Sequence, residues 1–226
     1  MSRLIDKLNR LSQGPFQPMG FRTSPAVSEK PRILLIASST EDNVDGLAEL
    51  VAGADAGLLD IPNLSSATIE KASQAISDIP WGGWLRDDGQ REMKQMTRAG
   101  CDFVVFPAAS TSLAIPRNDE MGKKLEVEAL LNEGLLRAVD GLPVDAVLIA
   151  GEPGGDYLLT WHHLILFQRF ADLLTKPLLV SVPSKVTADE LLVLWEAGVS
   201  GVVAEVGAGR PAERLKELRQ AIDKLD

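Results

Sequence analysis

The sequence predicts a (β/α)8 barrel, and three observations predict it. Short apolar runs of strand length alternate with helical patterns through residues 31–226. Four of these runs share one pattern: a glycine or proline, a spacer, Asp or Ser, then apolar residues. Their Asp/Ser positions are 55, 102, 145 and 200, spaced by 47, 43 and 55 residues. The runs are also continuous rather than alternating, as a parallel strand covered on both faces requires. Strands alternating with helices imply right-handed crossovers, and eight such units close into a barrel.

An N-terminal extension comes first, over residues 1–30. It holds five basic residues against two acidic ones, whereas the remainder holds 18 against 30. Leu4, Ile5, Leu8 and Leu11 fall on one face of a helix. The stretch Gly14-Pro15-Phe16-Gln17-Pro18-Met19-Gly20-Phe21 cannot be a regular helix, because its prolines and glycines interrupt the ladder. The expectation is a helix and strap packed over one end of the barrel. A subunit contact and weak attachment to an anionic membrane surface are the alternatives.

The barrel, residues 31–226, then unfolds in order. Pro31 leads the first strand, Arg32 to Ala37, and a helix is predicted over 43–52. The second strand follows Gly53-Ala54-Asp55, with a helix over 66–76. Pro80 leads Trp81-Gly82-Gly83-Trp84-Leu85, with a helix over 88–99. The fourth strand follows Gly100-Cys101-Asp102. The fifth falls on Lys124-Leu125-Glu126-Val127-Glu128, which also fits the opening of a helix; a helix over 130–139 follows. The sixth follows Pro143-Val144-Asp145, with a helix over 159–174. Pro177 leads the seventh, Leu178 to Val182, and Thr187 with Glu190 forms a capping box for a helix over 188–197. The eighth follows Gly198-Val199-Ser200, and Pro211 takes the first position of a helix over 211–224. Glycines ahead of even strands suit helix C-termini, and prolines ahead of odd strands sit where a missing N–H matters least. An open doubly wound sheet is the alternative. Its glycine-rich dinucleotide turn is absent, since the first turn reads Ser38-Ser39-Thr40-Glu41-Asp42.

Composition narrows the function classes. With 226 residues, 45% hydrophobic and 24% charged, the chain has ordinary globular composition and can bury a core. The net charge of -9 argues against nucleic acid as the main partner. No apolar run approaches the ~18 residues of a membrane span. A single cysteine, Cys101, and no signal-peptide pattern lead to the expectation of a cytoplasmic protein.

Barrel enzymes carry their chemistry at the C-terminal ends of the strands. Reading those ends gives Ser38, Ser39, Glu41 and Asp42, then Asp60, Arg86 with Asp87, Glu126 with Glu128, Glu152, Ser184 with Lys185, and Glu205. Asp60, Glu126, Glu152 and Glu205 make a carboxylate-rich mouth suited to general acid–base work or to Mg²⁺, which prefers oxygen ligands. No metal site is assigned, and the cofactor is left unknown with Mg²⁺ possible. Zinc is disfavoured because His162 and His163 are adjacent rather than three or four apart. Cys101 opens a strand at the end opposite to the chemistry and reads as a core thiol. An imine-forming lysine should project inward near a strand's C-terminal end. Lys123 and Lys124 are expected ahead of the fifth strand, at the opposite end, which leaves Lys185 in its loop. The stretch Glu205-Val206-Gly207-Ala208-Gly209-Arg210-Pro211 is the most specific feature. Two glycines allow close backbone approach, a helix N-terminus presents free N–H groups, and Arg210 adds a fork for phosphate.

The Gly-Ala-Asp-apolar pattern, the Pro-led odd strands and the run Ala197-Gly198-Val199-Ser200-Gly201-Val202-Val203 resemble the phosphate-binding (β/α)8 barrels. That superfamily includes the ribulose-phosphate-binding group and enzymes of tryptophan, histidine and thiamine biosynthesis. The resemblance covers about residues 31–226. It implies a phosphorylated small-molecule ligand, with a phosphate grip on Gly207, Gly209 and Arg210. The sequence departs from the group in the loop after the seventh strand. There Val182-Pro183-Ser184-Lys185 stands where a glycine is expected, and Ser184 and Lys185 are the substitute phosphate contacts.

The expectation is therefore a lyase or isomerase acting by acid–base catalysis on a small anionic, phosphorylated metabolite. Glu152 and Asp60 would be base and acid, and Arg86 and Lys185 would stabilise developing negative charge. One alternative is a non-catalytic scaffold that assembles through its N-terminal segment, with a homo-oligomer possible. The other is an FMN barrel with Trp81 or Trp84 near the flavin ring.

Overall fold

The structure is a computed structural model that describes residues 2–12, 33–40, 47–60, 66–76, 78–85, 90–113, 121–151, 157–183, 185–206 and 211–225. Helix α1 (Arg3–Ser12) precedes β1 (Leu34–Ser39), α2 (Leu47–Leu50), β2 (Ala56–Leu59), α3 (Ser66–Ala75), β3 (Trp81–Trp84), α4 (Gln90–Arg98) and β4 (Phe103–Pro107). Then come β5 (Gly122–Val127), α5 (Glu133–Asp140), β6 (Ala146–Ile149), α6 (Trp161–Leu173), β7 (Leu178–Val182), α7 (Ala188–Glu196), β8 (Gly201–Glu205) and α8 (Pro211–Asp223). The strands are parallel and in sequential order, and β1 pairs with β8 from Leu34–Gly201 to Ser38–Glu205. This is the predicted (β/α)8 TIM barrel.

The recurring Gly-x-Asp pattern has a physical explanation. Gly53, Gly100 and Gly198 carry φ of 92°, 76° and 87°, a backbone conformation open to glycine, and they turn the chain from a helix into β2, β4 and β8. The aspartates then fix strand register. The Asp55 N–H donates to Leu35 O (2.8 Å), and the Leu35 N–H donates back to Asp55 Oδ2 (2.9 Å). Asp145 makes the same reciprocal pair with Lys123, at 2.8 and 2.7 Å. Asp102 bonds Trp81 O through its N–H but turns its carboxylate elsewhere, to α1.

Two apolar layers result. The larger lies between strands and helices and includes Leu35, Val104, Val147, Phe170 and Leu215. The smaller fills the barrel's interior and includes Ile36, Leu58, Phe103, Leu148 and Leu179. Helix α1 belongs to that inner layer, through Leu4, Ile5 and Leu8. Its apolar face closes the N-terminal end of the barrel, against Gly122 and Phe103. Because this apolar face is buried, it is not available to a membrane or a second subunit; the strap at 13–30 lies outside the described residues.

The glycine pair of β3 follows from the same packing. A Cβ on Gly82 would collide with the Phe103 ring inside the barrel, and one on Gly83 with the Met96 side chain of α4. Gly122 likewise makes room for Ser2 and Ile5 of α1.

Three expectations need correction. The fifth strand starts at Gly122, two residues before the predicted start, so Lys123 and Lys124 lie within it. Leu125 and Val127 face the helices, and the two-residue period of a strand therefore turns Lys124 and Glu126 inward. Trp81 is 3% exposed and packs in the outer layer, so only Trp84 of the tryptophan pair faces the mouth. Ser38 and Ser39 are within β1 rather than after it.

Candidate active site at the mouth of the barrel

The C-terminal ends of the strands surround an open cavity of about 490 Å³. Asp60, Glu126 and Glu205 line it, and they come from three separated places on the barrel wall: just past the end of β2, the penultimate residue of β5 and the last residue of β8. Closure of the sheet brings them together. Asp60 is set by its own N–H, which donates to Ser39 O (2.9 Å). Glu126 is paired in register with Pro107 and Leu148, and Glu205 with Ser38. Trp84, Tyr157 and Ser181 complete the lining, with Ser38 and Thr40 beside them.

Tyr157 and Ser181 were not singled out in the sequence. The Tyr157 hydroxyl donates to Ser181 O (2.8 Å), which places a phenol oxygen at the rim between β6 and β7. Both had a signal. Tyr157 is the chain's single tyrosine, and Ser181 is the polar residue in the apolar run of β7.

The remaining predicted residues divide in two. Lys185 is exposed in the loop after β7 and is not part of the cavity lining. Arg86, Glu152, Ser184, Gly207, Gly209 and Arg210 lie outside the described residues, as do Glu41, Asp42 and Asp87. Glu128 is exposed just beyond the end of β5. Among the described residues, no group of three or more His, Cys, Asp or Glu side chains could hold a metal ion. The mouth carboxylates thus share a cavity without converging on one cation position.

Other chemistry-bearing groups have structural roles. Cys101 is buried; its Sγ donates to Phe103 O (3.0 Å), and burial pushes the thiol up to about 12. The reactive thiolate is therefore suppressed. His163 Nδ1 accepts from the Thr160 N–H (3.1 Å) and caps α6. That histidine borders a second opening, of about 260 Å³, between α6 and α7. There Glu190 is also engaged, accepting from the Thr187 N–H (2.6 Å), so its polar groups serve helix starts.

Lys124 is the unexpected member of the interior. It is 1% exposed, and its Nζ lies 3.0 Å from the centroid of the Phe103 ring with no hydrogen-bond partner. Burial holds its pKa well below the usual lysine value, against the opposing pull of Asp102. Neither nearby aspartate is bonded to it. Asp102 accepts from Ser2 Oγ (2.7 Å), Arg3 N (2.7 Å) and Leu4 N (3.0 Å), and Asp145 from Lys123 N (2.7 Å).

No family model and no curated protein matches the sequence, whereas solved structures do match the fold. The thiamine phosphate pyrophosphorylase of Pyrococcus furiosus aligns with a TM-score of 0.65 at 13% identity, over 86% of this chain and 98% of that one. A mutant tryptophan synthase α-subunit of the same organism aligns at 0.64 and 12%, over 85% and 97%. KGPDC from Streptococcus mutans aligns at 0.68 and 13%, over 85% and 98%. The likeness is one of fold. At this identity it carries no residue assignment, and function has to be argued from the mouth itself.

Proposed function

We propose that this barrel is an enzyme that moves protons on a small anionic, phosphorylated metabolite, as a lyase or isomerase. The observation that carries this reading is the cavity at the strands' C-terminal ends, lined by Asp60, Glu126 and Glu205. A carboxylate within reach of a substrate C–H or O–H takes the proton, and a second carboxyl returns it elsewhere on the same molecule. Asp60 and Glu126 take these parts, and Glu152, in the chain after β6, is assigned as a further base. The Tyr157 hydroxyl supplies a neutral donor or acceptor at the rim.

An acidic mouth repels an anion unless cations offset it. Arg86, Lys185 and Arg210 are assigned that task, with Gly207, Gly209 and Ser184 offering backbone and hydroxyl contacts. The chain from Gly207 to Arg210 joins β8 to α8, where barrels commonly hold a phosphate. One of the similar barrels supports the ligand class by its name, thiamine phosphate pyrophosphorylase.

A thermal-shift screen against phosphorylated metabolites, with and without Mg²⁺, tests the reading. A ligand at ~100 times its Kd adds roughly 2.7 kcal/mol, a shift of several degrees. The expected result is a shift that Arg210→Ala abolishes and that Asp60→Asn leaves in place while stopping turnover. No shift with any phosphorylated compound would move the weight to a non-catalytic scaffold.

A further inference from the structure

We propose that Lys124 is a reactive amine that captures aldehydes and ketones entering the mouth, as an imine on its Nζ. This rests on the enzyme reading above and narrows the substrate class to carbonyl compounds.

Lys124 lacks the partner that a buried lysine ordinarily has. A lysine enclosed in a protein interior ordinarily answers a carboxylate. Here Nζ has no hydrogen-bond partner, and the nearest aspartates spend their oxygens on α1 and on the backbone of β5. The ammonium form would bury three unsatisfied N–H donors, offset by the face of Phe103 and by the charges of Asp102 and Asp145, neither of them bonded to it. The uncharged amine avoids that cost, and it is the form with a lone pair to attack carbon. A structural role as an ion pair does not account for the residue.

Position supplies the rest. Lys124 and Glu126 alternate onto the same inner face of β5, and Glu126 lines the mouth cavity. Two residues of a strand rise about 6.6 Å, a height that lysine's four-carbon stem covers. The amine in this structure rests over Phe103, in the layer below the cavity. Helix α1 closes the barrel beneath it, and the cavity lined by Glu126 and Ser181 is on the other side, toward the strands' C-terminal ends. The proposal requires a rotation of the stem that brings Nζ up to the cavity floor. Charged groups facing this volume are Asp102 and Asp145 from below and Glu126 from above.

The chemistry balances without a further reagent. The Nζ lone pair forms a bond to the carbonyl carbon, and the C=O π pair moves to oxygen, which takes a proton. The nitrogen loses a proton, the hydroxyl leaves as water after protonation, and a C=N bond remains. Glu126 and Asp60 are placed to give and take these protons. No electron is gained or lost overall.

The test is reductive trapping on the full-length protein near pH 7. Glycolaldehyde phosphate is the probe, with phosphate-free glycolaldehyde in parallel and cyanoborohydride as the trap. Peptide mass mapping then reads each lysine for a gain equal to the probe's mass less one oxygen atom. Lys123, next to it on the strand and partly exposed, is the internal reference, and a denatured sample sets equal intrinsic labelling. An ordinary lysine is about 0.04% uncharged at pH 7, so a neutral Lys124 is expected to label at least ~10 times faster than Lys123. Labelling of Lys124 no faster than Lys123 overturns the proposal, whatever the phosphate screen shows. Fast labelling by both probes alike upholds the imine and counts instead against the phosphate part of the proposed function. The readout is made on the unaltered protein, so it does not depend on whether a Lys124 variant folds.

Discussion

At the N-terminal end of the barrel, carboxylates are bonded to backbone N–H groups; at the C-terminal end they border open space. Asp55, Asp102 and Asp145 accept from Leu35 N, from the start of α1 and from Lys123 N. Asp55 also holds Arg219 of α8 at 2.9 Å. Asp60, Glu126 and Glu205 instead line one cavity. The same functional group thus fixes register at one end and lines a cavity at the other. The difference teaches that an acidic residue in such a barrel is read by its end of the strand, and that stability and chemistry are divided between the two ends.

If that division holds, the largest losses of stability come from the closed end. Leu8 is fully buried in the inner layer, where α1 has no alternative surface to cover. Leu8→Ala is expected to cost about 2–5 kcal/mol in denaturant unfolding. A cost below about 1 kcal/mol would mean that α1 is dispensable and the closed end is not where stability resides.

Lys124 sits between the two ends and sharpens the comparison through pH. Its folded pKa is lowered, so between that value and 10.5 the unfolded chain holds a proton that the folded chain does not. Stability therefore rises with pH in that window, by up to about 1.4 kcal/mol per unit. Cys101 acts in the opposite sense. Its thiol is raised from 9.0 to about 12, so above about pH 9 the unfolded chain loses a proton that the folded chain keeps, and stability falls. Unfolding midpoints from pH 7 to 8.5 isolate the lysine. The wild type is expected to gain stability over that range, and Lys124→Met to lose this slope. Equal slopes in the two proteins would show that the lysine is charged in the fold.

Much of the frame was legible because barrel periodicity is local. Continuous apolar runs, glycines at helix ends and Thr187 with Glu190 each act within a few residues, and the sequence carries them directly. Asp60, Glu126 and Glu205 were legible as strand-end carboxylates, but their shared cavity depends on closure of β8 onto β1, which no local pattern encodes. Lys124 was misplaced by two residues of strand boundary. The alternation of Leu125 and Val127 with Lys124 and Glu126 turns both charges inward wherever the strand starts, but a start at Lys124 leaves that residue at the strand's outermost end, whereas in β5 it is the third residue. Tyr157 was missed because a hydroxyl that reaches Ser181 from a loop leaves no periodic trace.

The smaller predictions compare single carboxylates at the two ends. Asp102→Ala removes an acceptor for Ser2 Oγ, Arg3 N and Leu4 N together, at a helix start where few alternatives exist. The expected loss is about 1–2 kcal/mol. Glu205→Gln has the smallest expected effect, within about 0.5 kcal/mol, because the side chain is exposed at the last residue of β8. Its consequence belongs in ligand binding: removing a negative charge from the mouth should tighten an anionic ligand if the charge only repels, and abolish turnover if it carries a proton. Isothermal titration alongside the unfolding curve separates these. A Glu205→Gln protein as destabilised as Asp102→Ala would place the mouth carboxylates among the structural ones and remove the distinction between the two ends.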